Sequence, residues 1–199
     1  MMAAMADSGA AVLRNEPMSR HTSWRVGGPA EVYFQPGSRD ELIEFLRDLD
    51  PQTEMHWVGL GSNLLVRDGG VRGVVLNTSR ALSQVSRLDG GLVDAEAGVP
   101  CTSFARRCAR WGLGPAEFFA GIPGTVGGAL RMNAGAFGGE TWDRVDSVET
   151  IDRAGEVHRR SPEDFAIAYR EVRGGDSEWF LSARFALEDQ AEGALQRVK

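Results

Sequence analysis

At 199 residues, with 42% hydrophobic and 25% charged residues, the chain has the make-up of one globular domain or two small ones. A net charge of −6 leaves no overall electrostatic footprint for nucleic acid, and the short basic run His158-Arg159-Arg160 does not supply one. No stretch approaches the roughly 18 apolar residues of a membrane span.

Taken in chain order, residues 1–18 have no sustained apolar core and no cleavage pattern, so they read as a flexible leader and the protein as cytoplasmic. Residues 19–80 then read as a small α/β unit. "AEVYFQP" is a strand ending at Pro36. In "PGSRDELIEFLRDLD", Ser38 and Glu41 have capping-box spacing and Leu42, Phe45, Leu46 and Leu49 fall on one stripe, which predicts a helix. "MHWVGLG" and "VRGVVLN" are further strands. From 81 to 199 the pattern is α+β with an antiparallel sheet. "GGLVDAEAGVP" reads as strand and turn, and "TSFARRCARWG" as a helix with Thr102 as N-cap and Gly112 as its stop. "VDSVETIDRAGEVHRRS" is a hairpin turning at 152–155, "SPEDFAIAYR" a capped turn leading into an extended piece, and "EWFLSARFAL" a late strand. Cys101 and Cys108 share a helix face and read as reduced, small apolar residues. His21, His56 and His158 are scattered without metal-ligand spacing.

Glycine is the outlier, with 25 residues clustered around 59–73 and 112–139. "GLGSNLL", Gly59 to Leu65, follows a strand but has neither the third glycine of a dinucleotide fingerprint nor the lysine of a P-loop. Gly59, Gly61, Ser62 and Asn63 are suited to present main-chain N–H groups to an anion; a plain turn after a buried strand is the other reading. The run "AGIPGTVGGALRMNAGAFGGE", residues 120–140, holds seven glycines and two charges, Arg131 and Glu140. Consecutive small residues let a flat ligand lie against main chain, with Thr125 and Asn133 offering hydrogen bonds; a close crossing of two backbones is the alternative. Two glycine-rich segments without a lysine, histidine or metal cluster point to a large cofactor that brings its own reactivity. Tyr169-Arg170 is a third candidate, since arginine forks onto carboxylate or phosphate.

These segments, together with "RHTSWRVGGPAEVYF", "GLGSNLLVRDGGVRGVVL" and "FAIAYREV", resemble in sequence and order the UDP-N-acetylenolpyruvoylglucosamine reductase family over residues 19–187. The resemblance implies an α+β, PCMH-type FAD-binding fold of two subdomains, 19–80 and 81–199, with the flavin between them. It implies cofactor contacts from Arg25, Val26, Gly59, Gly61, Ser62, Asn63, Ile122, Pro123, Gly124, Thr125, Gly127 and Ala134. The family's catalytic arginine falls on Arg170, after Tyr169. The implied chemistry is hydride transfer from NADPH through FAD to UDP-N-acetylglucosamine enolpyruvate, giving UDP-N-acetylmuramate for peptidoglycan synthesis. Family members continue into a third domain carrying the proton-donating serine in a Gly-Ser-aromatic-aromatic-Lys-Asn-Pro stretch, which this sequence lacks. The expectation is a flavin module incomplete for turnover. A non-catalytic flavin-binding protein and another PCMH-type flavin oxidoreductase are the alternative readings.

Overall fold

The computed structural model describes residues 10–175 and 177–190. The chain divides into two compact units: Met1–Leu82 with Arg153–Glu156, and Ser83–Asp152 with Val157–Lys199.

The first unit is a four-stranded sheet in the order β1-β2-β4-β3, with β1 at Ala11–Pro17, β2 at Pro29–Gln35, β3 at Met55–Val58 and β4 at Val71–Asn77. β4 runs parallel to both β2 and β3, while β1 is antiparallel to β2. Helix α1, Arg39–Asp48, links β2 to β3 and starts where the capping residues predict: Ser38 Oγ accepts from Glu41 N–H at 3.2 Å, and Glu41 Oε2 accepts from Gly37 N–H at 2.7 Å. Its buried stripe holds Leu42 and Leu46, and Phe45 stacks on Phe34 at 4.0 Å. Strand β1 falls inside the stretch expected to be a leader; residues 1–9 of that stretch lie outside the described residues. Leu13, Arg14 and Asn15 are exposed and only Glu16 is buried, and what orders the strand is the hydrogen-bonded ladder from Ala11–Gln35 to Pro17–Pro29. Backbone pairing of that kind leaves little trace in a local hydrophobic pattern.

The second unit is a five-stranded, wholly antiparallel sheet in the order β11-β10-β14-β6-β5. Its strands are β5 Val85–Arg87, β6 Leu92–Glu96, β10 Val145–Asp152, β11 Val157–Arg160 and β14 Glu178–Ala186. Two-residue strands β7 Leu113–Gly114 and β15 Glu188–Asp189 pair with each other. Helices α2, Cys101–Arg110, and α3, Val126–Arg131, share the sheet's core, in which Phe104, Phe119 and Phe185 meet with ring centroids 4.8 to 5.5 Å apart. Thr102 is not the N-cap of α2: Pro100 stands there without a side-chain cap, and the N–H of Cys101 donates instead to the carbonyl of Gly124 at 2.9 Å. The glycine-rich segment thus does the work of a cap, satisfying one of the first-turn donors. Gly112, at φ 70, ends the helix as expected. Both cysteines are free and buried, and burial pushes each thiol up to about 12. No helix among the described residues is long and apolar enough to cross a membrane.

Candidate cofactor site

In the first unit, the loop after β3 meets the loop before β2 main chain to main chain. The N–H of Ser23 donates to Gly61 O at 3.1 Å, and a Cβ on Gly61 would lie 1.9 Å from His21 O. With φ at +64 as well, position 61 admits only glycine, so close backbone crossing is part of the reason for this motif. The loop is fixed from below by Asn77, whose Nδ2 donates to Gly59 O at 3.0 Å and whose Oδ1 accepts from Ser79 N–H at 3.0 Å. Gly59 and Ser62 are half-buried and Asn63 is exposed. The N–H groups of Gly61 and Asn63 donate to no acceptor among the described residues. On the same two loops the apolar side chains Trp24, Val26, Leu60 and Leu65 are 70%, 49%, 47% and 71% exposed, and Arg25 is exposed at φ 54. Unused donors and exposed apolar side chains on the same loops suit a nucleotide's phosphates and flat rings. Trp24, Leu60 and Leu65 lie inside the segments quoted from the sequence but were not singled out as contacts there, and Asn77, at the end of a later strand, was not connected to this loop.

In the second unit, Ile122 to Gly127 form the approach to α3. Thr125 caps that helix, its Oγ1 accepting from Gly128 N–H at 3.4 Å. Val126 N–H donates to Val99 O and Gly127 N–H to Ala97 O, both at 2.8 Å, which lays the segment along the chain leaving β6. The Ile122 side chain is in the core, so position 122 can offer a ligand only main chain. Pro123 is exposed, Gly124 half-buried at φ 150, and the N–H groups of Gly124 and Thr125 meet no acceptor among the described residues. The two adjoining glycines differ in kind. A Cβ on Gly127 would sit 2.9 Å from Ala97 Cβ, so packing explains it. A Cβ on the exposed Gly128 would meet nothing nearer than Thr125 Oγ1 at 3.8 Å. No described residue requires glycine there, at a helical position where it costs about 1 kcal/mol relative to alanine. The space above Gly128 is open, which leaves bare main chain for a flat group to rest against. Ala134 closes the segment half-buried, its carbonyl accepting from Thr141 Oγ1 at 2.7 Å.

Asn133 does not present its amide to a ligand as expected. It is buried at φ 39 and fully engaged: Nδ2 donates to Glu140 Oε2 at 2.8 Å and Ala168 O at 3.2 Å, and Oδ1 accepts from Trp142 N–H at 3.2 Å. Through Ala168 it grips a hairpin of β12, Ala166–Ala168, and β13, Glu171–Arg173. Arg131 holds the other strand by donating to Val172 O. Register Ala168–Glu171 makes Tyr169-Arg170 the two-residue turn. Arg170 lies at φ 59, where glycine or asparagine is usual, and its guanidinium is exposed with no ion-pair partner among the described residues. Holding a side chain there costs about 1–2 kcal/mol. Tyr169 is 83% exposed. Among the described residues no cluster of His, Cys, Asp or Glu could hold a metal.

The FAD binding domain family matches residues 30–161. The chain belongs to that family. Its FAD-binding fold is of the PCMH type, and its kinship runs to the reductases expected from the motifs. It is 56% identical over 185 residues to a UDP-N-acetylenolpyruvoylglucosamine reductase of Alkalilimnicola ehrlichii, covering 92% of this chain and 62% of the relative. The crystal structure of the UDP-N-acetylenolpyruvylglucosamine reductase MurB from Thermus caldophilus superposes with a TM-score of 0.79 at 30% identity, over 95% of this chain and 66% of that one. An alkyldihydroxyacetonephosphate synthase shares the fold alone, with a TM-score of 0.63 at 15% identity, over 85% of this FAD-binding chain and 34% of that one. The FAD-binding chain spans less than two thirds of the length of these relatives.

Proposed function

We propose that this chain is the flavin-binding part of a UDP-N-acetylenolpyruvoylglucosamine reductase, acting in the cytoplasm on UDP-N-acetylglucosamine enolpyruvate with NADPH during peptidoglycan synthesis. FAD would be held by the main chain of Gly59, Gly61, Ser62 and Asn63 at its phosphates, and by Ile122, Pro123, Gly124, Thr125, Gly127 and Ala134 along its ring system. Arg25 and Val26 add contacts from the loop before β2. The chemistry a flavin supplies is two-electron transfer: hydride from NADPH, then hydride to the enolpyruvyl C3, with a proton added at C2. Arg170 pairs with the substrate carboxylate and stabilises the negative charge that develops beside it when C3 gains hydride. A guanidinium suits this role because it stays charged at every working pH and surrenders no proton. Tyr169 shapes the same turn.

The observation that carries the reading is the Tyr169-Arg170 tip: an exposed cation, without an ion-pair partner among the described residues, held at a costly backbone conformation by two side chains of the glycine-rich segment, Asn133 and Arg131. The test is Arg170→Ala in the full-length protein. Turnover of NADPH with the UDP-sugar should fall about 10²–10³-fold while FAD content stays unchanged. Unchanged turnover removes Arg170 from the chemistry.

A further inference from the structure

The second unit carries another hairpin beside the glycine-rich segment: β8, Gly135–Ala136, and β9, Gly139–Glu140, with Phe137-Gly138 as its two-residue turn. Phe137 is 87% exposed and sits at φ 51. Two-residue hairpins with both central φ positive are normally built from Asn-Gly, and a bulky residue at such a φ is an outlier. The ring is nonetheless placed. A Cβ on Gly121 would lie 2.5 Å from Phe137 Cε2, so the aromatic edge rests on bare main chain one residue before Ile122. One side chain ties this tip to the other. Asn133 donates to Glu140 in the first hairpin and to Ala168 O in the second. Three left-handed, non-glycine residues, Asn133, Phe137 and Arg170, thus belong to one connected piece of structure. It bears an exposed aromatic ring on one arm and, on the other, a second exposed ring and a guanidinium with no ion-pair partner among the described residues. The side chain of Phe137 contributes little buried surface, so fold stability does not explain a phenylalanine there.

Resting on the function proposed above, we propose that Phe137 is a further substrate-binding residue, its ring forming the apolar wall for a planar, unsaturated carboxylate whose charge is taken by Arg170. The charge decides between the ligands of the site. An enolpyruvyl group is flat, conjugated and anionic, and matches a ring and a cation together. A nicotinamide ring carries no anion for Arg170 and becomes positive on oxidation, so the guanidinium would repel it.

The test uses the full-length, FAD-loaded protein as wild type, Phe137→Ala and Phe137→Tyr, titrated calorimetrically with UDP-N-acetylglucosamine enolpyruvate and, separately, with NADP⁺. FAD content and melting temperature should be the same in all three. The Kd for the UDP-sugar should rise about tenfold in Phe137→Ala, as loss of one stacking contact predicts, and return close to wild type in Phe137→Tyr. The NADP⁺ affinity should not change. Wild-type affinity of Phe137→Ala for the UDP-sugar overturns the proposal, as does loss of FAD or of melting temperature in that variant, or weakening confined to NADP⁺. Failure of the wild type itself to bind the UDP-sugar overturns the proposed function, and the assignment of Phe137 with it.

Discussion

The side-chain amide of Asn133 donates to the carbonyl of Ala168 over 3.2 Å, joining the segment that follows α3 to the hairpin whose tip is Tyr169-Arg170. The same amide reaches Glu140, and its oxygen accepts from Trp142 N–H, so one buried residue fixes three pieces of chain. Asn133→Ala leaves these partners unsatisfied and should cost about 1–3 kcal/mol of stability. Asn133→Asp should be at least as harmful, because it removes both donors and sets a carboxylate against Glu140. Urea unfolding midpoints of the two variants decide this, and a midpoint like wild type for either contradicts it.

The paired glycines of α3 give a prediction with opposite signs. Gly127→Ala drives a methyl against Ala97, 2.9 Å from its Cβ, and should destabilise the protein by about 1–3 kcal/mol with or without flavin. Gly128→Ala meets open space and should stabilise the flavin-free protein by up to about 1 kcal/mol, while weakening FAD binding because the methyl occupies the ligand's place. Melting curves with and without added FAD separate the two. Equal FAD affinity in Gly128→Ala would show that no ligand lies on that face.

Gly61→Ala tests the other unit. Its methyl would fall 1.9 Å from His21 O at a positive φ, so the loops before β2 and after β3 cannot keep their crossing. The variant should lose several-fold or more in FAD affinity, read by flavin fluorescence quenching, whereas Leu60→Ala on the exposed neighbour should leave the loop in place.

Much of this organisation is written locally, and what is not has a physical reason. Helix α1 is legible because its cap and stripe lie within a dozen consecutive residues. Strand β14 is legible from its aromatic and aliphatic residues Trp179, Phe180, Leu181 and Phe185. Strand β1 is not, since its order comes from pairing with β2 rather than from its own side chains. The glycine-rich segments announced close main-chain approach, but sequence could not separate Gly61 and Gly127, which face protein, from Gly128, which does not. Thr102 is a good capping residue, displaced because Gly124 O satisfies the helix start from across the unit. The inward role of Asn133 was hidden because Ala168 lies 35 residues away. Phe137 and Arg170 were hidden as turn residues because neither belongs to the residue types that mark left-handed positions.

Burial sets an alkaline limit. Cys101 and Cys108 ionise only at about 12 in the folded chain, against an ordinary thiol value near 8.5, and burial likewise raises Tyr33 to about 12. An unfolded chain therefore releases these protons first. Their contribution is fully present below about pH 8.5 and is lost progressively as pH climbs toward 12. Denaturation midpoints should fall above about pH 9, and Ellman's reagent at about pH 8 should label neither thiol until denaturant is added. Rapid labelling of the native protein contradicts this.

At the acid end, Glu178 responds in the other direction. Its hydrogen bond from Arg160 holds the carboxyl below the usual carboxylate range, so its stabilisation is present above that range and disappears as pH falls through the lowered value. Glu178→Gln should flatten the acid limb of the stability profile; an unaltered limb would contradict the assignment.

The most direct test of the central claim is a flavin titration. The purified protein, stripped of any bound ligand, is mixed with FAD in steps and followed by flavin fluorescence. Quenching should saturate at one FAD per chain, and the yellow complex should survive gel filtration. A colourless protein that leaves added FAD free in solution contradicts it.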